Sequence, residues 1–226
     1  ELNNERLRFY TNITHELRTP LTLILGPLED FQEDKELLPH QRKKISIIHN
    51  SAIRLLNLIN QILEFRKTET QNKKLCVSKD NLAALVTEVS LRYKELNLNK
   101  EVEFNITIKP EPLSLYFDRE IVTMILDNLI SNAAKYTEKG YINISLYTTR
   151  KNDTDYVEIK VSDTGQGISA DELPHIFERY YQARSDRQAS GTGIGLALVK
   201  NLAKLHQGEI YAENQDSCSR PLRGHG

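Results

Sequence analysis

The chain has 226 residues, of which 39% are hydrophobic and 27% charged, and its formal net charge is −1. It is long enough for two modest domains with buried cores, and its balanced charge argues against a nucleic-acid or membrane surface. No apolar run approaches the ~20 residues of a membrane span. Two distant cysteines, Cys76 and Cys218, indicate a reducing environment with neither a disulfide framework nor a zinc site.

A helical period opens the chain from about Leu2 to Phe31, so we predict one long helix there. The chain starts within this pattern, and we therefore expect it to be a piece of a longer protein. The apolar positions of the helix recur every three or four residues, at Phe9, Ile13, Leu17, Leu21, Ile24, Leu25 and Leu28.

His15 is the most informative residue of the predicted helix. At about 100° per residue it lies opposite the stripe of Ile13 and Leu17, so its imidazole is expected to face solvent. Glu16 beside it can take a proton from one ring nitrogen and leave the other as a nucleophile, although a solvated surface histidine is the commoner case. Pro20 removes a helix hydrogen bond and predicts a bend just after this turn.

A second helix is predicted from about Gln41 to Thr68, after a loop at residues 32–40 that contains Pro39. Its apolar residues form a heptad seam: Ile45, Ile48, Ala52, Leu55, Ile59 and Ile62. The two helices form an antiparallel hairpin whose apolar stripes are too wide for each other. We therefore expect two copies to form a four-helix bundle, with packing of the hairpin on the second half of the same chain as the alternative.

The apolar pattern is lost at residues 66–74, which predicts two domains, residues 1–69 and residues 70–226. In the second domain, strand patterns cover Leu75 to Ser78, Val102 to Ile108, Leu113 to Phe117, Tyr141 to Thr149 and Tyr156 to Ser162. Helical patterns cover roughly Leu82 to Tyr93, Asp118 to Tyr136 and Gly195 to His206. This mixture predicts an α+β sandwich with helices on one face of a mixed sheet.

Polar residues in the predicted helix from Asp118 can bind a magnesium nucleotide. Asn128, Asn132 and Lys135 lie at spacings of four and three, so they share one helix face. Amide oxygens can bind Mg²⁺ and an ammonium group can bind phosphate. A solvated polar face has the same spacing.

Two glycine-containing segments suggest a nucleotide as well. Asp163-Thr-Gly165-Gln-Gly167 follows a strand, where a carboxylate can accept a hydrogen bond from an exocyclic amine; a plain β-turn is the alternative. Gly191-Thr192-Gly193-Ile-Gly195-Leu196 opens a helix, so its backbone N–H groups can meet a polyphosphate, although it fits neither the P-loop nor the dinucleotide pattern.

Between these segments lies Phe177-Glu-Arg-Tyr-Tyr181. Its phenylalanine can anchor a lid, and Arg179 or Arg184 can reach phosphate, although core packing explains the segment as well.

In chain order, the strings H-E-L-R-T-P, N…N-A-A-K, D-T-G-Q-G, F-E-R-Y-Y and G-T-G-I-G-L closely resemble the catalytic core of sensor histidine kinases. The resemblance covers nearly the whole chain. It implies a dimerisation and phosphotransfer domain followed by a Bergerat-fold ATPase domain. FYTNITHELRTPLTLILGP and LINQILEFRK resemble in particular the hybrid two-component sensors of Bacteroidetes.

The resemblance also implies residue roles. His15 is the expected phosphoacceptor, Glu16 the base, and Thr19 the residue that helps place a water for dephosphorylation of the partner. Asn132 is expected to hold Mg²⁺, and Asp163 to bind the adenine amine. The other residues expected to bind ATP are Asn128, Lys135, Gly165, Gly167, Arg184, Gly191, Thr192, Gly193, Gly195 and Leu196.

The expected partners are a second copy of the chain and a response-regulator receiver domain, with no nucleic acid. Membrane attachment is expected only through segments outside this chain, which would make the chain a cytoplasmic part of an inner-membrane sensor. Two alternatives remain: a non-catalytic dimeric scaffold, and a gyrase-type ATPase. Proteins of the gyrase type lack a phosphoacceptor helix and carry a glutamate where Asn128 stands.

The chain departs from the family pattern in two places. His206-Gln207-Gly208 replaces a glycine pair, and the sequence QDSCSRPLRGHG follows Asn214 where a closing strand is expected. The tail shows no strand pattern, and loss of that strand is expected to expose a sheet edge and weaken the ATPase domain.

Overall fold

The computed structural model describes residues 2–33, 37–69, 74–151, 153–182 and 192–214, and side chains within 16–31, 37–68, 74–150, 153–182 and 192–214. Within those residues, no helix combines the length and the apolar character needed to cross a membrane. The last twelve residues, where the sequence predicts that a closing strand is missing, lie outside the described residues.

Two long helices form the first part of the chain, α1 (Leu2–Glu33) and α2 (Pro39–Glu69). Helix α1 continues through Pro20. The predicted loop is too long, because helix α2 already begins at Pro39. Proline suits the first turn of a helix, where its missing N–H has no partner to lose. The Gln41 side chain reaches back to accept a hydrogen bond from the Leu38 N–H at 3.0 Å, which caps this helix start.

The two helices pack through a small apolar cluster of Leu21, Leu25, Ala52, Leu56 and Ile59. A hydrogen bond of 2.7 Å from the Arg18 guanidinium to the Asn60 amide oxygen joins them a short distance away. Only part of the predicted seam is buried, because Ile48, Leu55 and Ile62 remain 52%, 48% and 39% exposed. The hairpin therefore leaves apolar surface uncovered in the single chain.

The second part contains five strands and three α-helices in the described residues. In chain order they are β1 (Ser78–Asn81), α3 (Leu82–Leu96), β2 (Val102–Ile108), β3 (Ser114–Phe117), α4 (Arg119–Tyr136), β4 (Gly140–Lys151), β5 (Thr154–Asp163) and α5 (Gly195–Leu205). A short 3₁₀ helix, Leu173–His175, precedes α5 and has no counterpart in the sequence prediction.

The strands form two sheets. Strands β1 and β3 pair antiparallel, whereas β4 lies between a parallel β2 and an antiparallel β5. Helices α3 and α4 bury their apolar stripes against the larger sheet, in a core that includes Leu85, Leu126, Ile130, Ile142 and Ile144. The predicted mixed sheet with helices packed on it is confirmed.

The first predicted strand is wrong by three residues, because β1 begins at Ser78 and not at Leu75. Leu75 is apolar for a different reason, since it packs against a cluster formed by α2, α4 and α5. The register of so short a strand is fixed by its partner, and Ser78 lies opposite Phe117. The other four strand predictions overlap the observed strands closely.

The end of α2 packs against the second part of the chain. Phe65 is 4% exposed and belongs to a cluster with Ile121, Ile194, Leu198 and Leu202. The expected alternative, in which the hairpin packs on the second half of its own chain, therefore holds for this end of the hairpin. The exposed seam residues lie outside that contact.

Asp118 joins three segments at the start of α4. Its side chain is 4% exposed and accepts hydrogen bonds from the N–H groups of Ile121 at 3.1 Å and Cys76 at 2.7 Å. Its own N–H donates to His206 Nε2 at 3.0 Å, which attaches the end of α5. One side chain thus caps α4 and holds the segment before β1.

We predict that Asp118→Ala lowers the free energy of unfolding by about 1–3 kcal/mol, because the buried N–H of Ile121 and the partly buried N–H of Cys76 lose their acceptor. Asp118→Asn is the matched variant: its single amide oxygen can keep one of the two bonds, and we expect a smaller loss. Urea unfolding followed by circular dichroism measures both. Equal losses in the two variants would contradict this assignment.

Candidate functional site

Helix α4 carries three of the predicted nucleotide ligands. Asn128 is 9% exposed, with its Nδ2 donating to the Met124 carbonyl at 2.8 Å. Asn132 is half-buried, and its side chain makes no hydrogen bond within the described part of the chain. Lys135 is exposed, with Nζ 3.1 Å from the Tyr136 hydroxyl and 4.6 Å from the centre of that ring. The three residues therefore differ in how free they are to bind a ligand.

The loop after β5 lies against the C-terminal end of α4. A Cβ atom added to Gly165 would be 2.6 Å from the Tyr136 carbonyl oxygen, so only glycine fits this approach. Asp163 Oδ1 accepts a hydrogen bond from the Gly165 N–H at 2.8 Å, and the carboxylate is exposed. The second carboxylate oxygen of Asp163 can therefore accept a hydrogen bond from a ligand. Gly167 adopts φ +71°, which favours glycine.

The glycine segment before α5 reaches the middle of α4. A Cβ added to Gly195 would lie 2.8 Å from Asn128 Oδ1. Gly193 adopts φ +66°, and its Cβ would lie 2.5 Å from the Tyr180 carbonyl carbon. The Tyr180 N–H also donates to the Gly193 carbonyl at 2.9 Å. The N-terminus of α5, with its positive dipole end, therefore lies beside Asn128.

The structure thus brings the two described glycine segments to one helix. Tyr136 and Asn128, the residues that they contact, are eight positions apart, or about 12 Å along the helix axis. Asn132 lies between them. An elongated ligand with an aromatic base at one end and anionic groups at the other suits this arrangement.

Some predicted residues lie outside this part of the structure. Arg184 and Gly191 are among the residues that the structure does not describe, and so is the side chain of His15. Thr192 Oγ1 accepts a hydrogen bond from the Ile194 N–H at 3.4 Å, and Leu196 is the second residue of α5. The guanidinium of Arg179 lies 5.3 Å from the centre of the Phe65 ring, so this arginine contacts the hairpin.

The predicted phosphoacceptor turn lies within α1. The side chains of Glu16 and Thr19 are exposed. The side chain of Arg18, between them, bonds to Asn60 of α2.

Asn214 is a structural residue that the sequence did not reveal. Its Nδ2 donates to the Ile168 carbonyl at 2.6 Å, and its Oδ1 accepts from the Ile168 N–H at 3.1 Å. This pair of bonds holds the loop that contains Gly167. No local pattern predicts the contact, because the two residues are far apart in the chain.

The described residues include no group of three histidine, cysteine, aspartate or glutamate side chains that could hold a metal ion. A site for Mg²⁺ in this region therefore depends on the amides of α4. Asn132 has a suitable oxygen, and a nucleotide would supply the remaining negative charge.

Two family models match the chain. Residues 5–71 match the His Kinase A phospho-acceptor domain, and residues 117–225 match the histidine kinase-, DNA gyrase B- and HSP90-like ATPases. Together the matches cover more than three-quarters of the chain.

Named relatives agree with the models. The chain is 38% identical to "Histidine kinase P4" of Formosa agariphila over all of its own length, but it spans only 17% of that protein. It is also 38% identical to an aerobic respiration control sensor protein ArcB homolog of Haemophilus influenzae, with 90% of this chain and 62% of that one aligned. A crystal structure of full-length ShkA in complex with AMPPNP superposes with a TM-score of 0.70, at 26% identity, over 88% of this chain and 41% of that chain.

These matches define a catalytic core with a phospho-acceptor domain and an ATP-binding domain. The chain belongs to the sensor histidine kinases. The predicted family and fold are therefore confirmed.

We predict that Gly165→Ala weakens nucleotide binding by roughly tenfold or more, about 1.4 kcal/mol, because the new methyl group displaces the Asp163 loop from α4. Gly208→Ala is the matched control, since its Cβ would come no closer than 3.4 Å to a neighbouring atom. Isothermal titration with Mg-AMPPNP measures the affinity of both. Unchanged affinity in Gly165→Ala would place the ligand elsewhere.

Proposed function

We propose that this chain transfers the γ-phosphoryl group of ATP to His15, and that the group then passes to an aspartate of a response-regulator receiver domain. The convergence of the Asp163 loop and the Gly193–Gly195 segment on α4 supports this proposal most strongly. The chain spans only 14–22% of the length of three of these relatives, so the activity of the chain is a proposal.

The proposed nucleotide lies along α4. Asp163 accepts a hydrogen bond from the adenine amine at the Gly165 end. The phosphates lie towards the N-terminus of α5, where the backbone N–H groups of Gly193 and Gly195, the helix dipole and Thr192 can stabilise negative charge. The exposed side chain of Lys135 is a proposed phosphate ligand, and Leu196, the second residue of α5, is a further proposed contact of the nucleotide. The remaining proposed ligands are Asn128, Gly167, Arg184 and Gly191.

Asn132 is the proposed ligand for Mg²⁺. Its half-buried amide has no partner within the described residues, and it lies between the two glycine segments. When bound, Mg²⁺ would neutralise part of the charge on the phosphate oxygens. Asn132 fits this role because magnesium commonly takes one or two protein oxygens and completes its shell with phosphate and water.

His15 is the proposed nucleophile. One ring nitrogen attacks the γ-phosphorus, the bond to the β–γ bridging oxygen breaks, and ADP leaves. Glu16, the next residue, takes the proton from the other ring nitrogen as positive charge develops on the ring. Thr19 is the proposed residue that places a water for removal of phosphate from the receiver domain. The two exposed side chains, Glu16 and Thr19, can both approach a partner on this face of α1.

A second copy of the chain is the proposed partner for the uncovered side of the hairpin. Ile48, Leu55 and Ile62 are exposed on α2, and Leu17 and Ile24 are exposed on α1. A four-helix bundle would bury these residues. The receiver domain would approach the same bundle near His15. The location of the chain, in the cytoplasm as part of an inner-membrane sensor, stays a prediction.

No finding favours the two alternatives. A gyrase-type ATPase does not account for the match of residues 5–71 to a phospho-acceptor domain. A scaffold without catalysis would not need glycine at both contacts with α4. Kinase activity is therefore the function that we propose.

We predict that the protein labels itself with γ-labelled ATP and Mg²⁺, and that the bound phosphate is labile in acid and stable in alkali. His15→Gln should abolish this label while nucleotide binding is retained, because the ring nitrogen is the acceptor. His40→Gln is the control, since this histidine is an exposed residue of the same hairpin. Label that persists in His15→Gln would refute the phosphoacceptor assignment.

We predict that Asn132→Ala removes the Mg²⁺ dependence of nucleotide binding, because the amide oxygen is the proposed metal ligand. Titrations of AMPPNP with and without Mg²⁺ measure this dependence. Ser131→Ala, one position earlier and exposed, is the control. The same Mg²⁺ dependence in Asn132→Ala and in the parent protein would place the metal on another residue.

A further inference from the structure

One face of α2 contacts the nucleotide-binding part of the chain. Gln61, Phe65 and Thr68 lie one turn apart along this face. Gln61 Nε2 donates to Asn128 Oδ1 at 3.2 Å, Phe65 is buried against α5, and Thr68 Oγ1 accepts from Asn201 Nδ2 at 3.4 Å. The hairpin and the ATP-binding domain therefore share a docked interface.

The contact with Gln61 encloses the Asn128 oxygen. The Asn128 Nδ2 donates to the Met124 carbonyl, which fixes the other end of the amide as the oxygen. That oxygen meets Gln61 on one side, and Gly195 lies so close that an added Cβ would be 2.8 Å away. Asn128 is only 9% exposed with Gln61 in this position, so a ligand that binds its oxygen has to compete with the Gln61 amide.

A second contact of α2 reaches the segment that packs against Gly193. Arg179 lies over the Phe65 ring, and the next residue, Tyr180, bonds to the Gly193 carbonyl. Tyr180 has φ +61°, so this segment has a strained backbone. The same face of α2 thus contacts Asn128, which lies against Gly195, and Arg179, whose neighbour Tyr180 lies against Gly193.

The docking contact also lies at the level of the proposed phosphoacceptor turn. Asn60, the neighbour of Gln61, accepts a hydrogen bond from Arg18, three residues after His15. Two successive residues of α2 therefore attach to α1 and to Asn128.

We propose that Gln61 is a positioning residue that holds the Asn128 oxygen in the docked arrangement, so that docking of the hairpin competes with binding of magnesium nucleotide. This inference rests on the proposed function, because it assumes that Asn128 is part of the nucleotide site. A nucleotide that uses Asn128 must displace Gln61 first. Only the undocked molecules bind nucleotide in this scheme, so the apparent affinity is the intrinsic affinity multiplied by the undocked fraction.

The test compares the affinity for Mg-AMPPNP, by isothermal titration, of the parent protein, Gln61→Ala and Asn57→Ala. Gln61→Ala should bind about two- to tenfold more tightly, the factor that corresponds to loss of one hydrogen bond from the docked state. Asn57 is exposed on α2 one turn before Gln61, so Asn57→Ala should stay within about twofold of the parent. Equal or weaker binding in Gln61→Ala overturns the proposal, because a merely structural role for Gln61 predicts weaker binding.

A reversible lock provides the second measurement. Thr68→Cys and Asn201→Cys, in a chain with Cys76→Ser and Cys218→Ser, should cross-link on oxidation and hold the domains docked. The oxidised form should bind Mg-AMPPNP at least about twofold more weakly than the reduced form, and Mg-AMPPNP should slow cross-linking. Equal affinity in both forms overturns the competition. A different result would refute the proposed function itself: the cross-link forms, but neither the reduced form nor any variant binds nucleotide. The proposed competition would then fail with it.

Discussion

Two close approaches to helix α4 determine how the candidate site is built. Gly165 lies against the Tyr136 backbone carbonyl and Gly195 lies against the Asn128 side-chain amide, and in both places a Cβ atom would clash with its neighbour. The apolar face of α4 is meanwhile fixed in the core against the sheet. The helix therefore serves as a rigid support on which a loop and a helix start can together meet a ligand.

The face of α2 that carries Gln61 and Phe65 joins the helical hairpin to the second part of the chain. Phe65 contributes apolar burial, whereas Gln61 contributes a single bond to a polar atom. The apolar contact that holds the two domains together is therefore separate from the weaker hydrogen bond that Gln61 makes to Asn128. A contact of modest energy is suited to regulation, because a ligand can offset it without separating the apolar interface.

The segment after α5 shows how the sheet edge is covered. Tyr147 and Tyr211 both donate to Glu158 Oε1, at 2.6 and 2.7 Å, and Lys160 pairs with Glu213 at 3.3 Å. The hydrogen bond to Glu158, with some burial, raises the pKa of Tyr147 to about 12, so that the phenol stays a donor. Within the described residues this segment is not a strand, so it meets β5 through side chains in place of a backbone ladder. Asn214 then connects its end to the loop of Gly167.

The sequence by itself determined the helices, four of the strands, the family and the order of its motifs, because periodicity and glycine spacing are local properties of the chain. It also indicated that Asn128, Asn132 and Lys135 share a helix face. The start of β1, the roles of Asn214 and Gln61 and the enclosure of Asn128 were decided by tertiary structure alone. Each of them depends on a hydrogen bond or a strand pairing between residues that are distant in the chain, and no local pattern records such a contact.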